Sequence, residues 1–142
     1  MRNLLSLKMG WTPLIVTLVL LLSACSVSFS TANVSDAWLS TDEAGQQRTT
    51  TFSQDAVFYA KVDVRNAPQD TRVRSVWYAV EADNLEPNLK IQELTYVVPQ
   101  SGNALVTFNL TNDLLWPRGR YKVEIFLNDA SDPARTLNFE VR

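Results

Sequence analysis

The sequence predicts an all-β protein, a single antiparallel β-sandwich of about seven short strands that follows a leader segment. From about residue 34 onward, apolar and polar residues alternate with a period of two, which is typical of half-buried strands. Clusters of Pro, Gly, Asn and Ser separate these segments, and no amphipathic helical stripe is present. Because one sheet cannot bury its apolar face alone, two packed sheets are expected, with a small closed barrel as the alternative.

Residues 1–24 are predicted to be a cleaved signal peptide. Arg2 and Lys8 make its start positive, and no acidic residue accompanies them. The apolar run over residues 14–22 is interrupted only by Thr17. A helix that spans a bilayer needs about 20 apolar residues, and this run has roughly half of that number. The run is therefore interpreted as the apolar region of a secretory leader rather than a permanent membrane span.

The leader ends in the sequence Leu22-Ser23-Ala24-Cys25. This resembles the lipobox of bacterial lipoprotein precursors, and the resemblance implies that Cys25 receives diacylglycerol and further acyl chains such as palmitate. It also implies cleavage before Cys25, which is the only cysteine of the chain and so has no disulfide partner within it. An ordinary signal peptide with a chance cysteine is the alternative.

The resemblance also implies a location. Each buried methylene contributes about 0.8 kcal/mol, so two or three acyl chains would hold Cys25 firmly in a membrane. The next residue is Ser26, not the Asp that marks inner-membrane retention in many two-membrane bacteria. The expected location is the outer membrane where there are two membranes, and otherwise the outer face of the cell membrane.

Residues 25–35 are predicted to be the lipidated cysteine and a flexible tether, because residues 26–35 are small, polar and uncharged. The sandwich domain is predicted over residues 36–142. The apolar residues Val27, Phe29 and Val34 leave a second possibility, that the end of the tether adds a first strand to the sheet.

Seven strands are predicted along the chain. The first has only a weak alternation of apolar and polar residues, and each later strand has a clear alternation or a run rich in Val, Trp and Tyr. Phe58, Ala60, Val62 and Val64 share one face of the second strand, and Tyr121 begins the alternation of the sixth. The predicted strands cover residues 37–41, 58–65, 73–80, 91–98, 105–110, 121–128 and 136–142. A short turn is expected within residues 83–90.

The segments 116–128 and 136–141 resemble the last hairpin of immunoglobulin-like and fibronectin III-like bacterial modules. The resemblance implies that Tyr121 occupies the tyrosine-corner position, and that Trp77 is the core aromatic residue of an earlier strand. The chain departs from antibody domains because it lacks the two cysteines that bridge their sheets. Such modules mostly bind, space or scaffold and seldom catalyse.

Composition excludes several kinds of site. The chain has no histidine, which rules out Ser-His-Asp and Cys-His catalysis and imidazole metal sites. Without the leader, 118 residues carry 11 basic and 15 acidic side chains, so nucleic acid is not an expected partner. Carboxylates at Glu81 and Asp83, and oxygens of the turn residues Asn128, Asp129 and Asp132, are interpreted as solvated loop groups. No catalytic residue, metal site or cofactor is expected beyond the lipid on Cys25.

Aromatic residues on the outer faces of strands are the remaining candidates for binding. If the core faces are those given above, Tyr59, Tyr78 and Phe126 point outward. An exposed aromatic face suits a protein or a sugar partner, although a loop or the tether can also cover such a face. The sequence therefore predicts a non-catalytic envelope lipoprotein that binds or scaffolds another envelope or surface protein. A module for polysaccharide or peptidoglycan is the alternative.

Overall fold

The computed structural model describes residues 31–142. The leader, Cys25 and most of the predicted tether lie outside the described residues. Eight strands form the described part, and within it no helix is long and apolar enough to cross a membrane. The strands are β1 (Asn33–Ser40), β2 (Thr51–Phe52), β3 (Phe58–Ala67), β4 (Arg72–Ala82), β5 (Leu89–Val97), β6 (Gly102–Leu110), β7 (Gly119–Leu127) and β8 (Arg135–Val141).

The strands form two sheets, which confirms the predicted sandwich. One sheet has three antiparallel strands in the order β1-β3-β6, and the other has five in the order β2-β8-β7-β4-β5. All pairs are antiparallel except β2 with β8, where Thr51 lies opposite Glu140 and Phe52 opposite Val141 in parallel register. The edge strands are therefore β1 and β6 in one sheet, and β2 and β5 in the other.

The core lies between the sheets and follows the predicted alternation. Phe58, Ala60, Val62 and Val64 of β3 are fully buried, and Trp77 of β4 is buried opposite them. Aromatic rings meet in this core at centroid distances that favour aromatic pairs. Phe58 of the three-stranded sheet meets Phe139 of the other sheet edge to face at 4.9 Å, and Phe139 stacks on Tyr121 of its own sheet at 5.4 Å.

Tyr121 forms the tyrosine corner that the sequence resemblance implies. Its hydroxyl donates a hydrogen bond to the carbonyl oxygen of Pro117 at 2.6 Å. Burial of the ring, and to a smaller extent the charge of Asp83, raise the pKa of Tyr121 to about 12. The hydroxyl therefore stays protonated and serves as a structural donor that fixes the chain before β7.

Two features differ from the prediction. The first strand begins at Asn33, so residues 33–35 belong to the sheet rather than to the tether, as in the second possibility raised by Val34. The structure has one strand more than the seven predicted. This strand, β2, is two residues long, which is too short to show an alternation of apolar and polar residues. It follows an isolated pairing of Arg48 with Ser40 of β1, and the chain then crosses to pair with β8 in the other sheet.

The sandwich has two different ends. At the entry end, where the described chain begins, Thr31 donates to the carbonyl oxygen of Asn66 at 3.1 Å. The turns that precede β4, β6 and β8 lie at this end. At the far end, the amide of Asp83 donates to the carbonyl oxygen of Arg118 at 2.9 Å, which joins the β4–β5 turn to the loop between β6 and β7.

Candidate functional site

The outer face of the five-stranded sheet holds two of the three predicted binding residues. Tyr78 of β4 is half-buried, and the ammonium of Lys122 lies 4.9 Å from the centre of its ring. Phe126 of β7 faces outward as predicted but is only 7% exposed, because the Arg74 guanidinium covers its ring at 4.4 Å. The expectation that Phe126 is exposed is therefore wrong, since cation–π contact shields the ring from solvent.

Ion pairs cover much of the same face. Arg74 pairs with Glu93 at 3.0 Å, and Lys122 pairs with Glu124 at 2.7 Å. Hydrogen bonds from Lys90 and Arg74 lower the pKa of the Glu93 carboxyl. This face is thus a network of paired charges above two aromatic rings, and it is not the apolar platform that the alternation suggested.

Tyr59, the third predicted residue, lies on the opposite side of the molecule. It is half-buried on the outer face of the three-stranded sheet, next to Lys61. The ammonium of Lys61 donates to the carbonyl oxygen of Glu43 at 2.8 Å and to the Thr107 hydroxyl at 2.6 Å. The β1–β2 loop therefore covers this face in part, and the structure does not bring Tyr59 together with Tyr78 or Phe126.

The candidate carboxylates are engaged in ordinary surface contacts. Glu81 pairs with Arg120. The side-chain oxygen of Asn128 accepts the amide of Arg72 at 3.0 Å, and Asp129 pairs with the guanidinium of the same arginine at 2.6 Å. Within residues 31–142, no three metal-ligating side chains form a cluster.

A groove of about 540 Å³ opens between β1 and β8. Trp38 lines it, and its indole nitrogen donates to the carbonyl oxygen of Gly45 at 2.9 Å. The Arg48 guanidinium lies 3.9 Å from the centre of the Trp38 ring and pairs with Asp36 at 3.3 Å. The ring face of this tryptophan is therefore already occupied by a side chain of the same protein.

Exposed apolar side chains are concentrated on one side of the sandwich. Every large hydrophobic side chain that is exposed in the described part belongs to β5, to β6 or to the loop after β6. These residues are Leu89, Tyr96, Val97, Leu105, Leu114 and Leu115. The opposite side, which contains β1, β2 and β8, has none among residues 31–142. This asymmetry marks the β5–β6 side as the candidate binding surface.

A cleft lies at the far end of that side and is here called the leucine cleft. It has a volume of about 400 Å³ and is open to solvent. Leu114 and Leu115 are 79% and 63% exposed at its rim. Its apolar lining consists of Leu85, Leu89, Ile91, Leu114, Leu115, Trp116 and Pro117.

Trp116 fixes the loop that carries the two exposed leucines. Its indole stacks on Phe58 at 4.8 Å, and its ring nitrogen donates to the carbonyl oxygen of Ala56 at 3.0 Å. Its amide donates to the carbonyl oxygen of Gln54 at 2.7 Å, and the Gln54 side chain donates back to the carbonyl oxygen of Trp116 at 2.9 Å. Leu114 and Leu115 therefore extend from a well-anchored base.

These leucines are not among the residues predicted to bind, because the candidates were aromatic residues on strand faces. The sequence nevertheless contains a signal for them. Leu114 and Leu115 form an apolar pair between the polar Asn112-Asp113 and the turn residue Pro117, outside any alternating segment. Apolar side chains in a predicted loop do not lie on the inner face of a strand, so they are expected to be exposed to solvent.

No family model matches the chain, and no curated protein matches it. Solved structures do match its fold. An immunoglobulin-like protein from Pseudomonas aeruginosa is 14% identical, with a TM-score of 0.51, and the match covers 81% of this chain and 99% of that one. The C-terminal domain of Wzt is 11% identical, with a TM-score of 0.54, and the match covers 80% and 75% of the two chains.

A β-glucosidase from Listeria innocua also matches, at 12% identity and a TM-score of 0.52. That match covers 80% of this chain but 16% of the enzyme, so the chain spans about one sixth of the enzyme's length. Identities this low establish the fold alone. The described domain is an immunoglobulin-like β-sandwich, and this architecture is compatible with a non-catalytic binding module.

Proposed function

We propose that the protein is a bacterial envelope lipoprotein that binds another envelope or surface protein without catalysing a reaction. In this proposal, lipid on Cys25 holds it to the membrane, with the outer membrane favoured where the bacterium has two. The leucine cleft is the binding site. The observation that carries the proposal is the concentration of all the exposed large apolar residues of the described part on the β5–β6 side.

The cleft has the physical character of a protein-binding site. Burial of exposed apolar surface contributes about 25 cal/mol per Å², so leucines that are mostly exposed in the free protein provide a driving force for association. The Trp116 anchor lowers the entropic cost of binding because the loop is already ordered. Polar residues such as Asn112 and Lys90 border the cleft and suit the polar rim of an interface.

A protein partner fits these features better than a sugar. Carbohydrate modules need aromatic ring faces open to solvent, whereas Arg48 covers the ring of Trp38 and Arg74 covers that of Phe126. Tyr96, the exposed aromatic residue of the described part, lies outside the cleft, and the exposed apolar residues that line the cleft are all leucines. The glycan alternative is therefore kept as an outcome of the test.

The position of the cleft agrees with anchoring at Cys25. The described chain starts at the entry end, near Asn66, and the cleft lies at the far end beside Asp83 and Arg118. An anchor that precedes Thr31 would leave the far end directed away from the membrane. The anchoring itself is tested by Cys25→Ser, for which we expect loss of acylation and accumulation of uncleaved precursor in cells labelled with a palmitate analogue.

The test of binding is site-specific photo-crosslinking in living cells. A photoreactive amino acid replaces Leu115 in the cleft, or Thr136 on β8 as the control at an exposed position on the other side. We expect one reproducible protein adduct from position 115 and none from position 136. Equal adducts from both positions, or retention on purified cell-wall glycan without any protein adduct, would contradict the proposal.

A further inference from the structure

We infer that β6 accepts an extended, uncharged segment of the partner protein as an added strand of the three-stranded sheet. This inference rests on the proposed function and names how the partner is bound. Strand addition requires an edge with free main-chain groups and no device that blocks pairing. The edge of β6 meets both requirements.

The register of the three-stranded sheet shows which main-chain groups of β6 are free. The carbonyl oxygen of Leu39 in β1 accepts the amide of Thr49, so Leu39 directs its main-chain groups away from β3. Its partner Ala60 in β3 therefore directs its groups toward β6, where it lies opposite Phe108. Because direction alternates along a strand, Phe108 and Val106 pair with β3.

Alternation along β6 directs the main-chain groups of Leu105, Thr107 and Asn109 toward the open edge. No main-chain hydrogen bond from another described strand reaches these groups, because β6 has only β3 as a neighbour. An incoming strand would therefore find three residues with both a donor and an acceptor available.

The nine residues of β6 contain no charged residue and no proline. Natural edge strands usually prevent pairing by charges, proline, bulges or a covering loop. On the solvent-facing side of β6, Leu105 is 57% exposed and adds apolar surface. Cross-strand side-chain pairs stabilise a sheet, and β6 offers no charged residue to pair with, so an uncharged segment fits best.

The other edges are protected. In β1, the amide of Thr49 already donates to the carbonyl oxygen of Leu39, so part of this edge is occupied. On the outer face of β5, Lys90 and Glu93 form an ion pair. At the edge of the five-stranded sheet beyond β8, two residues of β2 cover Glu140 and Val141. The unprotected edge of β6 is thus on the same side as the leucine cleft. The loop that carries Leu114 and Leu115 of the cleft directly follows β6 in the chain.

A second copy of the chain is the other occupant to consider. Symmetric pairing of two β6 strands would be antiparallel and would place the entry ends of the two copies at opposite ends of the dimer. Nine strand residues span about 30 Å, so the two lipid anchors would be directed away from a common membrane surface. A segment of a different protein has no such constraint, and we commit to that occupant.

The inference is tested by hydrogen–deuterium exchange of the full-length lipidated protein in detergent. The first probe is a nine-residue peptide that alternates Thr and Val, and the second is the partner captured from position 115. We expect both to slow exchange of the outward β6 amides, those of Leu105, Thr107 and Asn109, at least ten-fold. The same peptide with alternate amides methylated keeps its side chains but loses donors, and it should give no protection.

Leu105 provides the matched variants. Leu105→Pro removes one outward amide that β3 does not use, Leu105→Lys keeps the amide but adds a charge, and Leu105→Ala keeps the amide without charge. Partner affinity should fall at least ten-fold for the Pro and Lys variants and less than three-fold for the Ala variant.

The outcomes separate the two proposals. A partner that binds all three variants equally and leaves the β6 amides unprotected overturns the strand inference but leaves the proposed function standing. Protection by the peptide with no partner captured at position 115 overturns the proposed function instead. A dimer, detected by light scattering and lost in Leu105→Pro, would overturn the assignment to a different protein.

Discussion

The indole of Trp116 stacks on the ring of Phe58 with 4.8 Å between centroids and 28° between planes. Phe58 is the first residue of β3 and is completely buried. A single contact thus connects the core to the loop that carries Leu114 and Leu115. We propose that this contact orders the loop, so that the two exposed leucines form a fixed binding surface.

Replacement of Trp116 tests this connection. We expect Trp116→Ala to lower the free energy of unfolding by about 3 kcal/mol, because it removes a buried ring and leaves a cavity beside Phe58. Trp116→Phe keeps a ring and loses the hydrogen bond to Ala56, so its cost should be smaller. Urea denaturation measures both variants. Equal stability of wild type and Trp116→Ala would show that the loop is not anchored in this way.

Loss of the corner hydrogen bond should weaken the sandwich. Tyr121→Phe removes the bond to Pro117 and should lower the free energy of unfolding by about 1 kcal/mol. Tyr78→Phe is the matched control, because Tyr78 is half-buried on an outer face, and its change should stay within about 0.5 kcal/mol. Thermal unfolding compares them, and identical midpoints for both variants would contradict the assigned corner.

The same tyrosine predicts a loss of stability in alkali. The pKa of Tyr121 is raised from 10.0 to about 12 in the folded protein. Above pH 10 the unfolded chain releases this proton while the folded protein keeps it, so unfolding becomes more favourable as the pH rises. We expect stability to fall between about pH 10 and pH 12, and Tyr121→Phe to show a shallower decline. Parallel pH curves for the two proteins would exclude this linkage.

Two glycines with positive φ should respond differently to alanine. Gly119 has φ of +151°, and a Cβ there would lie 2.5 Å from the Cα of Ala82, whereas Gly102 has φ of +134° and open space around it. We expect Gly119→Ala to cost about 2 kcal/mol more than Gly102→Ala, because only the former adds a clash to the backbone strain. Denaturant midpoints of the two variants measure this difference. A similar loss of stability in both variants would show that the backbone strain from positive φ, and not the clash with Ala82, accounts for the loss.

The sequence was sufficient for most of the fold because alternation is a local signal. The faces of β3 and β7 follow directly from the positions of Phe58 and Tyr121. Alternation also gave the correct face for Phe126 but not its exposure, because cover by Arg74 depends on the pairing of β4 with β7. That pairing is a long-range relationship that no local pattern contains.

The binding surface was harder to predict for the same reason. Free main-chain groups at Leu105 depend on β6 being an edge strand, which is a property of strand order. The cleft depends on Leu89 of β5 and Leu114 of the loop after β6 lining the same concave surface. Each residue is ordinary in the sequence, and only the fold brings them to one side.

The most direct test of the account is the affinity of the captured partner for a Leu114→Ser, Leu115→Ser double variant of the full-length protein. Thr136→Ala is the control, because Thr136 is exposed on β8, on the side of the sandwich opposite the cleft. We predict that the double variant binds at least ten-fold more weakly, a loss of about 1.4 kcal/mol or more, while Thr136→Ala stays within about three-fold of wild type. Unchanged affinity of the double variant would contradict the leucine cleft as the binding site.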